Sequence, residues 1–337
     1  MSPIFSALAS SSAQFHAAGG VEGAPSLTDV QAAMLRLHRF HLATTPLLPS
    51  PDLAAQISGQ VWLKAEHRQV TGSFKLRGAL NRLLQFNEAE RQAGVVSYSS
   101  GNFGIAVAFG GWNLGIPVTI VVPQDAPAAK LHKIRLMGAK IVLADRTSDN
   151  RIQLARDLAQ QTGAVLLPFA DQPQVIAGAG TVVLEMLEQL RAQSLDTVLV
   201  PCGGGSLTAG SALVLQSLSP KTRVIAVEPV GLDDTARSLA AGKILANDPA
   251  ARSICDSLLT RQPSPLTFAM LQAGQAANQL ACMAVEDIAV QHAVVWLAKR
   301  LHQVVEPGGA IALAALLSQP QNFVGQRVGV LLTGANG

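Results

Sequence analysis

The 337-residue chain is expected to be an α/β protein of parallel sheets flanked by helices. Eight short apolar runs, at 61–65, 95–98, 118–122, 140–144, 165–169, 197–201, 223–228 and 328–333, are rich in Val, Ile and Leu and show little alternation. That is the pattern of strands buried on both faces. Helix-like segments separate most of these runs, and strand–helix alternation implies parallel strands joined by right-handed crossovers. A hydrophobic fraction of 49% with only 14% charged residues fits a large buried core.

Taken in order, the first 40 residues form an arm and one helix, and the strand 61–65 follows. Residues 71–79, Thr-Gly-Ser-Phe-Lys-Leu-Arg-Gly-Ala, make a small-residue turn that opens a helix over 74–86. They place Lys75 in its first turns, bracketed by Phe74, Leu76 and Ala79. Burial among such neighbours lowers a lysine's pKa and frees the nucleophilic amine, as a Schiff-base lysine requires. Taken alone, the same lysine reads equally as one on a solvated helix face.

After the run 95–98, Ser99-Ser100-Gly101-Asn102-Phe103-Gly104 turns into a helix over 102–113. A strand–turn–helix unit of this kind aims backbone N–H groups and small polar side chains at an anion. Gly and Asn also occur in ordinary tight turns. Helices are expected at 127–137, 150–162 and 174–193, between the runs 118–122, 140–144, 165–169 and 197–201. Next, Cys202-Gly203-Gly204-Gly205-Ser206 joins the strand 197–201 to a helix over 207–218. Three glycines let backbone amides approach a phosphate closely, with a helix N-terminus behind them. The string is neither G-x-x-x-x-G-K-[ST] nor a clean dinucleotide fingerprint. The tail adds a helix at 287–302, then Glu306-Pro307-Gly308-Gly309, a short apolar helix and the last strand.

A net charge of +3 without a long basic run, and 4% aromatic residues, give nucleic-acid binding no support. Cys202, Cys255 and Cys282 are far apart and form no C-x-x-C or zinc spacing. Buried reduced thiols in a cytoplasmic protein are the expectation. Residues 1–25 lack the basic and apolar segments of a signal peptide, and no apolar run is long enough to span a membrane.

Ser73-Phe74-Lys75-Leu76-Arg77-Gly78-Ala79, Ser99-Ser100-Gly101-Asn102 and Gly203-Gly204-Gly205, in that order, resemble the pyridoxal-phosphate enzymes of fold type II. The branch they resemble most is the threonine/serine dehydratases with serine racemase, from about residue 40 to the C-terminus. The resemblance implies a two-domain, tryptophan synthase β-like fold. Residues 1–85 and 168–337 would form a discontinuous large cofactor-binding domain, and residues 86–167 a small substrate-side domain. No C-terminal regulatory domain is expected, and a homodimer is.

The same resemblance implies roles residue by residue. Lys75 would form the Schiff base with pyridoxal 5'-phosphate and, once displaced, remove the substrate's α-proton. Ser73 and Phe74 would lie near the cofactor, and Asn102 would meet its 3′ oxygen. Gly203, Gly204, Gly205 and Ser206 would hold its phosphate, and Thr333 would face the pyridine nitrogen. Ser99, Ser100, Gly101, Asn102 and Phe103 would meet the substrate. A neutral hydroxyl at Thr333 suits β-elimination more than transamination. The expected activity is therefore deamination of a β-hydroxy amino acid to a 2-oxo acid and ammonia.

Ser100 matches a serine that acts on the opposite substrate face in racemases, so racemisation is the alternative. A β-replacement synthase and a non-catalytic binding relative are further ones. Phe103 departs from the histidine of many relatives; it implies either a pocket for a bulkier β-aryl serine such as phenylserine, or plain packing into the helix. Glu228, the Leu232 carbonyl and Asp234 resemble a Mg²⁺ or Ca²⁺ segment, or else a strand-end glutamate with helix-capping aspartates.

Overall fold

A computed structural model describes residues 21–336 except 125, 127, 146, 147 and 192. Most of the arm expected at the start lies outside the described residues. The expected helix after it spans Leu27–Arg39 and starts with a reciprocal capping box between Ser26 and Asp29.

Among the described residues the strands form two sheets. The larger has six, in the order β1-β2-β10-β7-β8-β9: Leu47–Pro49, Gln60–Ala65, Arg327–Leu332, Thr197–Pro201, Arg223–Pro229 and Leu280–Val285. All its neighbours are parallel except β1 on β2. The smaller sheet is wholly parallel, in the order β5-β4-β3-β6: Lys140–Ala144, Val118–Pro123, Val95–Ser97 and Val165–Leu166. The central strand β7 is buried at every position, and β10 is buried at all but its first, which explains their unbroken apolar runs.

Every helix expected between strands is present with ends shifted by at most a few residues, for example Lys75–Leu83, Asn102–Leu114, Ser206–Leu218 and Asp287–Leu301. Two strands went unassigned from sequence. Leu47–Pro49 is three residues ending in proline, and Leu280–Val285 is an Ala/Cys/Met-containing edge strand buried only at its two ends. The expected strand 165–169 shortens to Val165–Leu166. Pro168 two residues on cannot donate to a ladder.

Three helices stack behind the turn that opens the Lys75 helix, with backbone approaches too close for a Cβ. A Cβ on Gly78 would lie 2.8 Å from the Val175 carbonyl oxygen, and one on Gly178 2.5 Å from that of Arg77. One on Gly210 would lie 2.6 Å from the Ile176 carbonyl oxygen. Helices Lys75–Leu83, Pro173–Leu190 and Ser206–Leu218 can therefore touch through backbone. Beneath the first of them sits a fully buried ionic cluster. Arg77 donates to Glu66 at 2.8 Å and to Glu185 at 2.9 Å, and Lys64 donates to Glu185 at 2.6 Å. Two cations and two carboxylates neutralise one another there, which buried charges require.

Candidate active site

Three adjacent strands, β2, β10 and β7, end at one edge of the large sheet, where open parallel sheets bind ligands. From β2 the chain turns into the helix headed by Lys75; β10 runs out at Thr333; β7 runs out into Gly203–Gly205. A short antiparallel contact locks the first two together. Phe74 N–H donates to the Thr333 carbonyl at 3.1 Å and Ala335 N–H to that of Gly72 at 2.9 Å, around the bridge Ser73–Gly334.

Lys75, Asn102, Gly203, Gly204, Gly205, Ser206, Glu306 and Thr333 line one recess. The Lys75 amine sits 4.7 Å from the centre of the Phe74 ring and 5.9 Å from that of Phe169. Burial lowers its pKa from 10.5 to about 8, against the opposing pull of the Glu306 carboxylate. A share of neutral amine near pH 7 far above that of an ordinary lysine is what a carbonyl-capturing lysine needs.

The glycine loop is built as an anion cradle. Gly205, at φ +84°, is the N-cap of helix Ser206–Leu218. A Cβ there would come within 2.8 Å of Thr267 Oγ1, and one on Gly204 within 2.7 Å of the Phe169 ring. A Cβ on Gly203 would meet only ordinary contacts. Within the described residues, the N–H groups of all three glycines have no acceptor. Ser206 Oγ donates to the Phe169 carbonyl at 3.1 Å, so its side chain braces the loop.

Asn102 is held at both ends of its amide. Its Nδ2 donates to Glu306 Oε1 at 2.6 Å, and its Oδ1 accepts from Asn336 Nδ2 at 3.0 Å. Asn336 N–H in turn donates to Glu306 Oε2 at 2.8 Å. Burial raises the Glu306 pKa, and the donations from Asn102 and Asn336 act against that. Glu306 and Asn336 carry no role in the sequence reading. The signal was Glu306-Pro307-Gly308-Gly309, visible only as a helix start.

Ser99, Ser100 and Gly101 form the partly buried turn before helix Asn102–Leu114. No hydrogen bond engages the Ser99 or Ser100 hydroxyl among the described residues. Ser73 Oγ is buried without a partner. Phe103 is 1% exposed and packs with Leu76, Leu80 and Ile105 in the core around the small sheet, away from the recess. Its packing is the plain one of the two alternatives.

Beyond β8, Glu228 accepts from the N–H groups of Thr235 and Ala236, both at 2.9 Å, at the start of helix Asp234–Ala241. Asp234 Oδ1 accepts from Asn247 at 2.7 Å, while its Oδ2 is buried without a partner. Burial, then the Asp234 charge, raises Glu228 to about 8, and burial raises Asp234 to about 6. Among the described residues no group of three or more His, Cys, Asp or Glu side chains converges as a metal site. A cation here would rely on the orphaned Asp234 oxygen, a Glu228 oxygen and main-chain carbonyls, which is a hard-ion donor set.

A depressed lysine, an amide cradle at a helix N-terminus and a braced asparagine at the ends of parallel strands fit pyridoxal phosphate and define an enzyme that uses it. The chain belongs to the pyridoxal-phosphate dependent enzyme family, whose model matches residues 39–334. It is 41% identical to L-threo-3-hydroxyaspartate ammonia-lyase of Pseudomonas sp, covering 92% of this chain and 95% of that one. It is 34% identical to serine racemase of Schizosaccharomyces pombe, covering 93% and 94%. Among solved structures, a T.th. threonine deaminase superposes with a TM-score of 0.85 at 39% identity, over 93% of this chain and 99% of that one. Maize serine racemase does so with 0.86 at 33%, over 93% and 94%. These fold type II neighbours share the helix-flanked parallel sheets described above.

Proposed function

We propose that the protein is an ammonia-lyase that converts a β-hydroxy amino acid to a 2-oxo acid and ammonia. The observation that carries this reading is a lysine amine held at about 8 in a recess shared with a glycine cradle. When bound, pyridoxal phosphate supplies the electron-withdrawing system that acidifies the substrate's α-hydrogen. The protein's own groups do the rest. The amides of Gly203–Gly205 and the helix dipole behind them would hold the phosphate. Asn102, fixed by Glu306 and Asn336, would meet the ring oxygen, and Thr333 would offer a neutral hydroxyl to the ring nitrogen. The Ser99–Gly101 turn holds the substrate carboxylate with donors that are not otherwise engaged. The Lys75 amine takes the α-proton, and loss of the β-hydroxyl as water followed by hydrolysis gives the products.

3-Hydroxyaspartate and threonine, named for relatives, are the first substrates to test. The packing of Phe103 lends no support to a β-aryl pocket. Mg²⁺ or Ca²⁺ beside Asp234 and a homodimer belong to the same reading. The test is a visible spectrum of the purified enzyme with a 2-oxo-acid assay. A cofactor band lost in Lys75→Ala, with oxo acid formed from one substrate, supports it. No band after reconstitution overturns it.

Racemisation is the second reading, favoured by the unengaged Ser100 hydroxyl. Chiral analysis of recovered substrate separates the two, because a lyase returns it without inversion.

A further inference from the structure

Helix Ala128–Leu136 buries Leu131 and Ile134 in the core around the small sheet. Its Lys130 and Lys133 lie one turn apart, so their side chains leave the helix as neighbours. Both amines reach segments that build the Lys75 recess. Lys130 pairs with Asp256, whose neighbours Ser257 and Leu258 line that recess. Lys133 Nζ donates to Asn336 Oδ1 at 3.0 Å, just past the end of β10.

Asn336 is buried, and its amide packs directly on Gly72. A Cβ there, at φ +74°, would lie 2.8 Å from Asn336 Oδ1. A lysine amine only donates, so it faces the oxygen end of the Asn336 amide. The nitrogen end donates both of its hydrogens, to the Thr71 carbonyl at 2.7 Å and to Asn102 Oδ1 at 3.0 Å. Asn102 in turn shows its own nitrogen to Glu306 Oε1, at 2.6 Å. Nothing among the described residues takes the second hydrogen of that nitrogen, and Asn102 lines the recess. A cation thus stands at one end of two linked amides and a carboxylate at the other, which polarises each N–H into a stronger donor. Among the described residues Lys133 is the one partner of Asn336 Oδ1. Without it a buried acceptor goes unmet.

We propose that Lys133 is a positioning residue for the cofactor ring: it fixes the Asn336 amide, and through it the Asn102 N–H that would face the ring oxygen. This rests on the reading of Asn102 given above. The Lys130–Asp256 pair holds the same helix on the recess. The ring is therefore fully held only when helix Ala128–Leu136 is docked. Lys133 acts through Asn336 rather than on the substrate, so its loss should slow every substrate by the same factor.

The experiment compares the wild type with Lys133→Met and Lys133→Arg. Cofactor affinity is read by absorbance titration of the cofactor-free proteins, and the ring's surroundings by the visible maximum of the loaded ones. Folding is read by melting temperature without cofactor. kcat and KM are measured for L-threo-3-hydroxyaspartate and L-threonine. Lys133→Met should bind pyridoxal phosphate about 3–10-fold more weakly, with a shifted visible maximum and kcat lowered alike for both substrates. Its KM values and its melting temperature should stay near those of the wild type, and Lys133→Arg should recover most of the loss. Equal affinity with an unchanged spectrum overturns the proposal. So does slowing confined to hydroxyaspartate, which would make Lys133 a substrate contact. An affinity loss that tracks a large drop in melting temperature, and that Lys133→Arg shares, overturns it too. The affinity and spectral readouts need no turnover, so they decide the point whichever reaction the enzyme performs. A wild type with no band fails the cofactor reading, and the proposal with it; a band indifferent to Lys133 fails the proposal alone.

Discussion

An amine that is half neutral near pH 8 captures an aldehyde at a pH where an exposed lysine is still almost wholly protonated. Stripped of cofactor, the enzyme should therefore regain its visible band at a rate that climbs through pH about 8 and levels off well below 10.5, the ordinary lysine value. Between those two pH values the unfolded chain keeps a proton that native Lys75 has released. This group's share of the cofactor-free enzyme's stability thus rises with pH across that window. Glu306 accepts a hydrogen bond from Asn102. Glu306→Gln should weaken cofactor binding by about 1.5–3 kcal/mol and shift the absorbance maximum of the loaded enzyme. Equal affinity and an unchanged spectrum would show that Asn102 needs no carboxylate behind it. Lys75 and the glycine loop were legible because each is a contiguous string with its own local geometry. Glu306 and Asn336 were not, because they meet Asn102 across 204 and 234 residues of chain. Nothing in a local window records such a meeting.

Helix contacts carry the same contrast. Gly78 stands out in the sequence as part of a motif, but its reason lies in a different helix, where the Val175 carbonyl occupies the space a side chain would take. Gly78→Ala should cost about 1–3 kcal/mol and lower the melting temperature, since overpacking displaces backbone. The ionic cluster is a second element-level device. Glu185 takes hydrogen bonds from both Lys64 and Arg77, and Glu185→Gln leaves a buried cation short of its partner. Thermal unfolding should show a loss of about 3–5 kcal/mol, while a Lys64→Met, Glu185→Leu pair should lose less than the single change. At the end of β8, Mg²⁺ should raise the melting temperature and a chelator reverse it, with Asp234→Asn removing the response. Indifference to both would leave Glu228 as a helix cap alone. The strands that escaped notice, β1 and β9, sit at the edges of the large sheet. β1 is three residues ending in proline, and β9 is apolar but Ala/Cys/Met-containing and buried only at its two ends, so neither shows the Val/Ile/Leu-rich pattern that announced β7 and β10.

At the scale of the whole molecule, the alternation of strand and helix predicted parallel sheets but not the order of strands within them. Sheet order is set by pairings between distant segments, and the large sheet places β10 between β2 and β7. A chain ending after Ser318 lacks β10, so it should lose cofactor binding altogether rather than by degrees, as reconstitution followed by absorbance would show. The same placement has a consequence for biosynthesis. Lys75 leaves the ribosome some 250 residues before Leu332, yet the partner of its turn, residues 333–335, follows that last strand. While the chain grows, the middle of the large sheet is a gap, and closing it depends on a contact of very long sequence separation, the slow kind to form. The turn that carries the lysine therefore stays incomplete until β10 and residues 333–335 have emerged, and nascent chains stalled before β10 should bind no pyridoxal phosphate.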